Sequence, residues 1–176
     1  MATDHTVCCC VLCEDAPVEP RLGATVEVIE EHGWQVTMVP ADEHGPGWAY
    51  TIGLWHRHRI PELAMFGLDI TMMHTILNDL AQRAVDGQSL KADQKRHDVA
   101  SVPVVLKAVD YRWYRAFFGG AIRFYRKPPF PFLQVAWPNR EGAFPWQPAG
   151  EDLLARQPRL WLRPQEHPVG VWTQDV

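Results

Sequence analysis

The chain has 176 residues, which is enough for one domain with its own core and too short for several. It has 47% hydrophobic and 22% charged residues and no apolar run of about 18 residues, so the composition is that of a globular protein and disfavours a membrane protein. The net charge of −4 is uneven, because residues 1–50 carry nine acids and one base whereas residues 51–140 carry thirteen bases and seven acids. The basic middle suggests an anion-binding face. No basic segment followed by an apolar run marks a secretory signal, and we expect a cytoplasmic protein.

The first predicted region is a flexible acidic arm over residues 1–22, which holds all four cysteines of the chain within six positions. Neighbouring cysteines cannot easily bridge one another, so a disulfide framework is disfavoured. Cys10 and Cys13 have the C-x-x-C spacing that supplies half of a zinc site, and histidines from elsewhere would have to supply the other half. The alternatives are a solvated, oxidation-prone tail and a redox pair.

A single α+β domain is predicted over residues 23–148, followed by a Pro-rich C-terminal tail over residues 149–176. Three consecutive strands predict an antiparallel or mixed sheet of about five strands, with two to three helices packed mainly on one face. Apolar periodicity and the positions of glycine and proline set the boundaries of these elements. The predicted helices cover residues 24–32, 71–86 and 111–118, and the predicted strands cover residues 34–39, 48–55, 62–67, 102–109 and 132–137.

Residues 48–68 contain the most strand-like pattern of the chain and its densest set of chemically active side chains. Large and small side chains alternate from Trp48 to Trp55, which indicates a strand. The small face, with Thr51 and Gly53, indicates that a helix or a ligand comes close to the backbone. The Trp and Tyr side chains around this strand suggest a groove that recognises a partner.

A cluster of ionisable side chains follows that strand. If the strand extends, His56 and His58 project on the same side, which is a common spacing for a pair of metal ligands, and Glu62 lies four residues beyond. The alternative is an exposed loop rich in histidine and arginine. Candidate third ligands are His32, His44 and His74.

Several catalytic and nucleotide-binding classes find no support in the sequence. The chain has two serines, Ser89 and Ser101, and no Gly-x-Ser-x-Gly motif, which disfavours a serine hydrolase. It lacks the glycine-rich loops of the two common nucleotide-binding motifs. Residues 107–127 interleave basic and aromatic residues, as single-stranded nucleic-acid binders do, but an amphipathic helix with core aromatics is the favoured interpretation.

Separated motifs occur in one order along the chain, and they are His32-Gly33-Trp34, Trp48–Trp55, Pro61-Glu62-Leu63, a helix ending near Gly87, and Leu133–Pro138 through Phe144-Pro145-Trp146. Together they resemble the bacterial family known as domain of unknown function 4262, over residues 24–148. The family name carries no activity, so the resemblance implies a domain boundary and not a chemistry. A weaker likeness is to suppressor-of-fused-like domains, some bacterial relatives of which look like immunity proteins against toxins.

The lack of a complete catalytic set favours a binding or interaction module whose aromatic groove recognises a protein or a small molecule. The alternatives are a metal- or cofactor-dependent enzyme built on the rim of His56, His58 and Glu62, and an immunity-type protein that binds a toxin. Nucleic-acid and membrane partners are disfavoured, and the oligomeric state is left open. The predicted ligand-binding residues are Trp34, Tyr50, Thr51, Gly53, Trp55, His56, Glu62 and Trp137, and the predicted metal ligands are His56, His58, Cys10 and Cys13.

Overall fold

The structure, a computed structural model, describes residues 8–174. Over that range the chain forms five α-helices and six strands, joined by loops and short 3-10 turns. The helices are α1 (Gly23–His32), α2 (Leu54–His58), α3 (Ile70–Val85), α4 (Tyr114–Phe117) and α5 (Gly119–Tyr125). The strands are β1 (Gln35–Val39), β2 (Trp48–Ile52), β3 (Glu62–Phe66), β4 (Lys95–Arg96), β5 (Val104–Ala108) and β6 (Phe132–Ala136).

The six described strands form one mixed sheet in the order β1-β2-β3-β6-β5-β4. The central pair, β3 and β6, is parallel, and the other neighbouring strands are antiparallel. The predicted α+β class with a mixed sheet is therefore confirmed. Three details differ from the prediction: the two-residue β4 adds a sixth strand, the described residues form five α-helices instead of two to three, and helices cover both faces of the sheet.

The aliphatic face is the side of the sheet that α3 covers. Asp69 caps the start of α3, because its carboxylate accepts hydrogen bonds from the backbone N–H groups of Thr71 and Met72 at 3.0 and 3.2 Å. The helix then repeats apolar residues at helical spacing, as the sequence predicted. The buried core of the aliphatic face includes Val36, Leu63, Met65, Met73, Leu77, Leu80, Leu106 and Val135.

The aromatic face is the opposite side of the sheet, covered by α1, α4 and α5. Phe118 stacks on Phe132 of β6 with ring centroids 4.1 Å apart, and the other rings meet mostly edge to face. Five of the seven aromatic residues in 107–127 are buried here, which agrees with the amphipathic interpretation of that segment. The buried core includes Tyr50, Ile52, Phe66, Trp113, Phe117, Phe118, Phe124, Tyr125 and Phe132.

Both ends of the described chain pack against the domain. Cys8, Cys10 and Val11 are buried in the aromatic face, although the sequence suggested a flexible arm there. They pack because the N–H of Val11 donates to the carbonyl of Phe124 at 2.9 Å and their apolar surface leaves water. From the predicted tail, Leu153, Leu160 and Trp172 are buried, the last two in the aromatic face. Residues 1–7 of the predicted arm and 175–176 of the predicted tail lie outside the described residues.

Gly53 ends β2 earlier than the sequence predicted. Its φ of 114° lies in the left-handed region, and a Cβ at this position would lie 2.9 Å from the carbonyl oxygen of Gly33. The backbone therefore turns out of the strand at this glycine, and residues Leu54–His58 form α2. The predicted strand over 48–55 is wrong for its last three residues, and this change reorients both histidines that follow.

Within residues 8–174, no helix has the length and apolar character needed to cross a membrane.

Candidate metal centre

Three cysteines and one histidine converge beside the aromatic face. The Sγ atoms of Cys8, Cys10 and Cys13 and a ring nitrogen of His56 all lie within 4.8 Å of one another. The Nδ1 atom of His56 is 3.1 Å from the sulfur of Cys10, 3.3 Å from that of Cys13 and 3.9 Å from that of Cys8. One ring nitrogen thus faces three sulfur atoms at once.

A tight turn holds the cysteines together. The carbonyl of Cys10 accepts hydrogen bonds from the N–H groups of Cys13 and Glu14, both at 3.1 Å, which closes the C-x-x-C loop. The bond from Val11 to Phe124 fastens the loop to α5. Glu14 also faces Arg126 and Lys127 at 3.3 and 3.7 Å, although these exposed ion pairs contribute little.

The histidine is presented by α2, a helix of five residues bounded by left-handed residues at both ends, Gly53 and Arg59. At the end of the helix the guanidinium of Arg59 donates to the carbonyls of Trp55 and His56 at 2.6 and 2.7 Å. No side chain of the segment itself caps the start. Instead, the N–H groups of Gly53 and Trp55 donate to Oε1 of Glu62 at 2.9 and 3.1 Å. The N–H of His56 donates to the hydroxyl of Tyr125 at 3.2 Å. Partners from β3 and α5 therefore satisfy the start of the helix.

Glu62 is a fully buried carboxylate at the start of β3. It accepts hydrogen bonds from the hydroxyl of Thr51 at 2.5 Å and from the hydroxyl of Tyr125. Burial raises the pKa of Glu62, and these donors oppose the rise. Burial, and then the nearby Glu62 carboxylate, also raise the pKa of Tyr125, which keeps its hydroxyl protonated.

Burial shifts the pKa values of three of the four candidate ligands. Burial raises the pKa of Cys10 to about 12 and also raises the pKa of Cys8, so their thiolates need a positive charge to become stable. A coordinated metal ion supplies that charge and deprotonates the thiols. Burial, and then Arg59 and Arg57, lower the pKa of His56, which favours the neutral imidazole that binds metals.

The spacing fits one ion and not a cluster. A tetrahedral zinc ion with thiolate and imidazole ligands places each sulfur about 3.5 Å from the nitrogen. The three observed distances, 3.1, 3.3 and 3.9 Å, bracket that value. In an iron–sulfur cluster the ligands are distributed over several iron atoms, which requires wider spacing. The donor set of three cysteines and one histidine is typical of structural zinc sites.

The structure brings together three of the four predicted metal ligands, Cys10, Cys13 and His56. Cys8 was not among the predicted ligands, and its C-x-C spacing with Cys10 was the available signal. His58 lies outside the cluster, because α2 is helical and residues i and i+2 do not share a helix face. The candidate third ligands lie elsewhere: His32 and His74 line a separate cleft, and His44 is exposed beside Glu43.

The residues predicted to line an aromatic groove are dispersed. Tyr50 is 3% exposed and its hydroxyl accepts a hydrogen bond from Gly120, while Thr51, Gly53 and Glu62 are buried. Trp55 is half-buried, with the guanidinium of Arg59 over its ring. Trp137 is buried and its ring N–H donates to the carbonyl of Phe66 at 2.8 Å, at the base of a cleft of about 670 Å³. Trp34 is half-buried in a second cleft of about 400 Å³.

The family described as Domain of unknown function (DUF4262) matches residues 28–151. The chain belongs to this family. The match includes His56 and Glu62 and begins after the three cysteines, so the candidate centre joins the family domain to the segment that precedes it. Neither a curated protein nor a solved structure matches the chain.

Proposed function

We propose that this family member is a zinc-binding protein in which Cys8, Cys10, Cys13 and His56 form a closed, structural centre. The observation that carries the proposal is the position of His56 Nδ1, which faces the three sulfur atoms at 3.1, 3.3 and 3.9 Å. Disulfide formation would need only two of the cysteines and would give the imidazole no role. A mononuclear metal ion uses all four atoms together.

Four protein ligands complete the coordination of zinc and leave no position for water or substrate. A catalytic zinc site keeps such a position open, so this donor set favours a structural role over a metal-dependent enzyme. Two of the ligands, Cys8 and Cys10, are buried in the aromatic face. The metal would therefore fasten residues 8–22 to α2, across a separation of 46 residues between Cys10 and His56.

Elemental analysis of the purified full chain tests the proposal with two matched pairs of variants. We expect one zinc ion per chain in the unmodified protein, and its loss in Cys10→Ser and in His56→Gln. Cys9→Ser and His58→Gln change neighbouring residues of the same types that lie outside the cluster. Both control variants should keep the metal.

Two results would contradict the proposal. The first is a metal-free unmodified protein that takes up no zinc when zinc is added. The second is a metal content that falls equally in the ligand variants and in their matched controls. Iron in place of zinc would overturn the choice of metal.

A second candidate function, recognition of a polar small molecule, rests on the cleft beside Trp34. His32, His74 and Asn78 also line it, and the indole N–H of Trp34 donates to Asn78 at 2.9 Å. Among the described residues, Gln35 contributes a buried side-chain oxygen without a hydrogen-bond partner, as an acceptor awaiting a ligand would be. Polar side chains around one aromatic ring suit a polar ligand with several hydrogen-bonding groups.

Mass spectrometry of the compounds released when the purified protein is denatured tests this second candidate. A compound that the unmodified protein carries should be absent from Trp34→Ala. Trp146→Ala, which removes a partly exposed tryptophan outside this cleft, is the control. The same compounds in all three samples, or none in any, would contradict it.

A further inference from the structure

Two adjacent residues of α5 contact both halves of the candidate metal centre. The carbonyl of Phe124 accepts the hydrogen bond from Val11, within the cysteine loop, and the Phe124 ring packs edge-on against His56 with centroids 6.0 Å apart. The hydroxyl of the next residue, Tyr125, accepts the hydrogen bond from the backbone of His56. One short helix therefore sets the position of the cysteine loop relative to the histidine.

The hydroxyl of Tyr125 has its full set of hydrogen bonds. It accepts from the N–H groups of Gly53 at 3.1 Å and His56 at 3.2 Å, and it donates to Glu62. A tyrosine hydroxyl offers one donor and has room for two acceptor bonds, so its orientation is fixed. The residue is 1% exposed, so bulk water does not reach the hydroxyl.

Glu62 holds this arrangement on the sheet. Its Oε1 atom accepts from Gly53, Trp55 and Tyr125, and its Oε2 atom accepts from Thr51. In all four hydrogen bonds the carboxyl oxygens are the acceptors. The first turn of α2 is therefore anchored to β3 through a single buried carboxylate.

A helix of five residues is not stable by itself, so the direction of the His56 side chain depends on these external bonds. We propose that Tyr125, held by Glu62, is a positioning residue of the metal centre, which aims His56 at the three cysteines before the ion binds. This inference rests on the zinc-binding function proposed above. It assigns a role to a buried carboxylate and a buried hydroxyl that neither touch the metal nor face solvent.

Tyr125→Phe removes the hydroxyl and keeps the ring. The matched control is Tyr114→Phe, because Tyr114 also lies in the aromatic face and its hydroxyl bridges the carbonyl of Phe130 and the N–H of Phe132, both at 3.1 Å. Competition with a chromophoric chelator measures zinc affinity in the full chain. We expect Tyr125→Phe to weaken zinc binding by about 10- to 100-fold, the range typical of partners that orient a ligand. Tyr114→Phe should bind zinc as the unmodified chain does.

Cobalt substitution supplies a readout that a general loss of stability does not move. At saturating cobalt, both variants should retain the thiolate-to-cobalt charge-transfer band, because all three cysteines remain. Of these two variants, only Tyr125→Phe should show changed ligand-field bands, because only that substitution frees the imidazole. Glu62→Gln, with a neutral acceptor in place of the carboxylate, should give a smaller change in the same direction, and it carries the test if Tyr125→Phe does not fold.

The outcomes separate the two proposals. If the unmodified chain binds zinc and both Tyr125→Phe and Glu62→Gln bind it equally well, the positioning role is overturned and the metal centre stands. Equal weakening in Tyr114→Phe also overturns it, because the effect would then belong to the aromatic face in general. If the unmodified chain binds no zinc, both proposals are overturned.

Discussion

The two faces of the sheet are built from the chain in different ways. The aliphatic face is covered mainly by α3, one run of 16 residues with apolar side chains at helical spacing. The aromatic face is assembled from residues 8–22, α1, the segment from Trp113 to Phe132, and Trp172 near the end of the described chain. Continuous packing of one helix holds the first face, whereas the second has to keep distant segments in place. The buried hydroxyl of Tyr125, which bonds to Gly53 and Glu62, and the proposed metal join such segments on the second face.

Removal of the metal should give the largest loss of stability, and this loss should be confined to the aromatic face. One ion bound at a free concentration a thousand times its dissociation constant stabilises the folded chain by about 4 kcal/mol, and a chelator removes that contribution. We expect the amide of Val11, bonded to Phe124, to lose protection from hydrogen exchange, while the amides of α3 keep theirs. Exchange measured by mass spectrometry before and after chelation provides the comparison.

Cys9→Ser should respond to the chelator in the same way, because Cys9 lies outside the cluster. Equal loss of protection in α3 and in residues 8–22 would show that the metal stabilises both faces alike. Unchanged exchange at Val11 after chelation would show that a metal does not stabilise the aromatic face.

A substitution in the aliphatic face should give the reverse pattern. Leu77 of α3 is fully buried, and Leu77→Ala should cost about 3 kcal/mol of unfolding free energy through lost contacts and a cavity. The zinc affinity of the folded protein should stay the same, because the ligands lie on the other side of the sheet. Urea unfolding and chelator competition on the same sample measure both quantities.

Phe124→Leu is the partner variant on the aromatic face. It keeps an apolar side chain but loses the ring that packs against His56, so it should reduce stability less than Leu77→Ala and weaken zinc binding more. If zinc affinity fell as much in Leu77→Ala as in Phe124→Leu, the two faces would not contribute to zinc binding differently, contrary to expectation.

The smallest expected effect concerns the charged contacts that fasten the loop before β5 to α3. Asp98 receives hydrogen bonds from Arg96 at 2.7 and 2.9 Å and faces Arg83 of α3 at 3.3 Å. The bonds from Arg96 lower the pKa of Asp98 to about 2. Because Asp98 is 41% exposed, solvent screening limits its contribution, and Asp98→Asn should cost about 1 kcal/mol near neutral pH.

The pH dependence of this contribution has a defined direction. The pKa of Asp98 in the folded chain lies below the unfolded value of about 3.9, so the stabilisation is complete above that value and is lost as the pH falls through about 2. Urea unfolding of the unmodified chain and of Asp98→Asn should therefore converge as the pH falls through this window. Asp93→Asn, which alters a more exposed pair with Lys107, is the control, and a constant difference at all pH values would exclude the ionised pair as its source.

The elements of the aliphatic face could be predicted well because each is specified by the apolar pattern within its own short stretch of sequence. The apolar spacing placed α3 at 71–86, and the structure has Ile70–Val85, with Asp69 at the cap. The first two strands alternate within short windows and the third is a continuous apolar run, and these patterns placed all three close to their observed starts. Periodicity within one element is enough for these assignments.

The metal centre could be predicted only in part, since its geometry depends on the backbone between its residues. His56 and His58 share a side in a strand but point about 200° apart in a helix, and the turn at Gly53 decides between the two. That turn depends on the close approach of Gly33, which no local pattern reveals. The role of Glu62 was equally hidden, because its partner Tyr125 is 63 residues away.

The family match begins at residue 28, after the last of the three cysteines. A fragment that begins at residue 28 would keep His56 and Tyr125 but lose three of the four proposed metal ligands. It would also uncover the apolar surface that Cys8, Cys10, Val11 and Leu22 bury, and such surfaces promote aggregation. Low solubility of the trimmed fragment would therefore reflect a missing piece of the fold and not an unstable family domain.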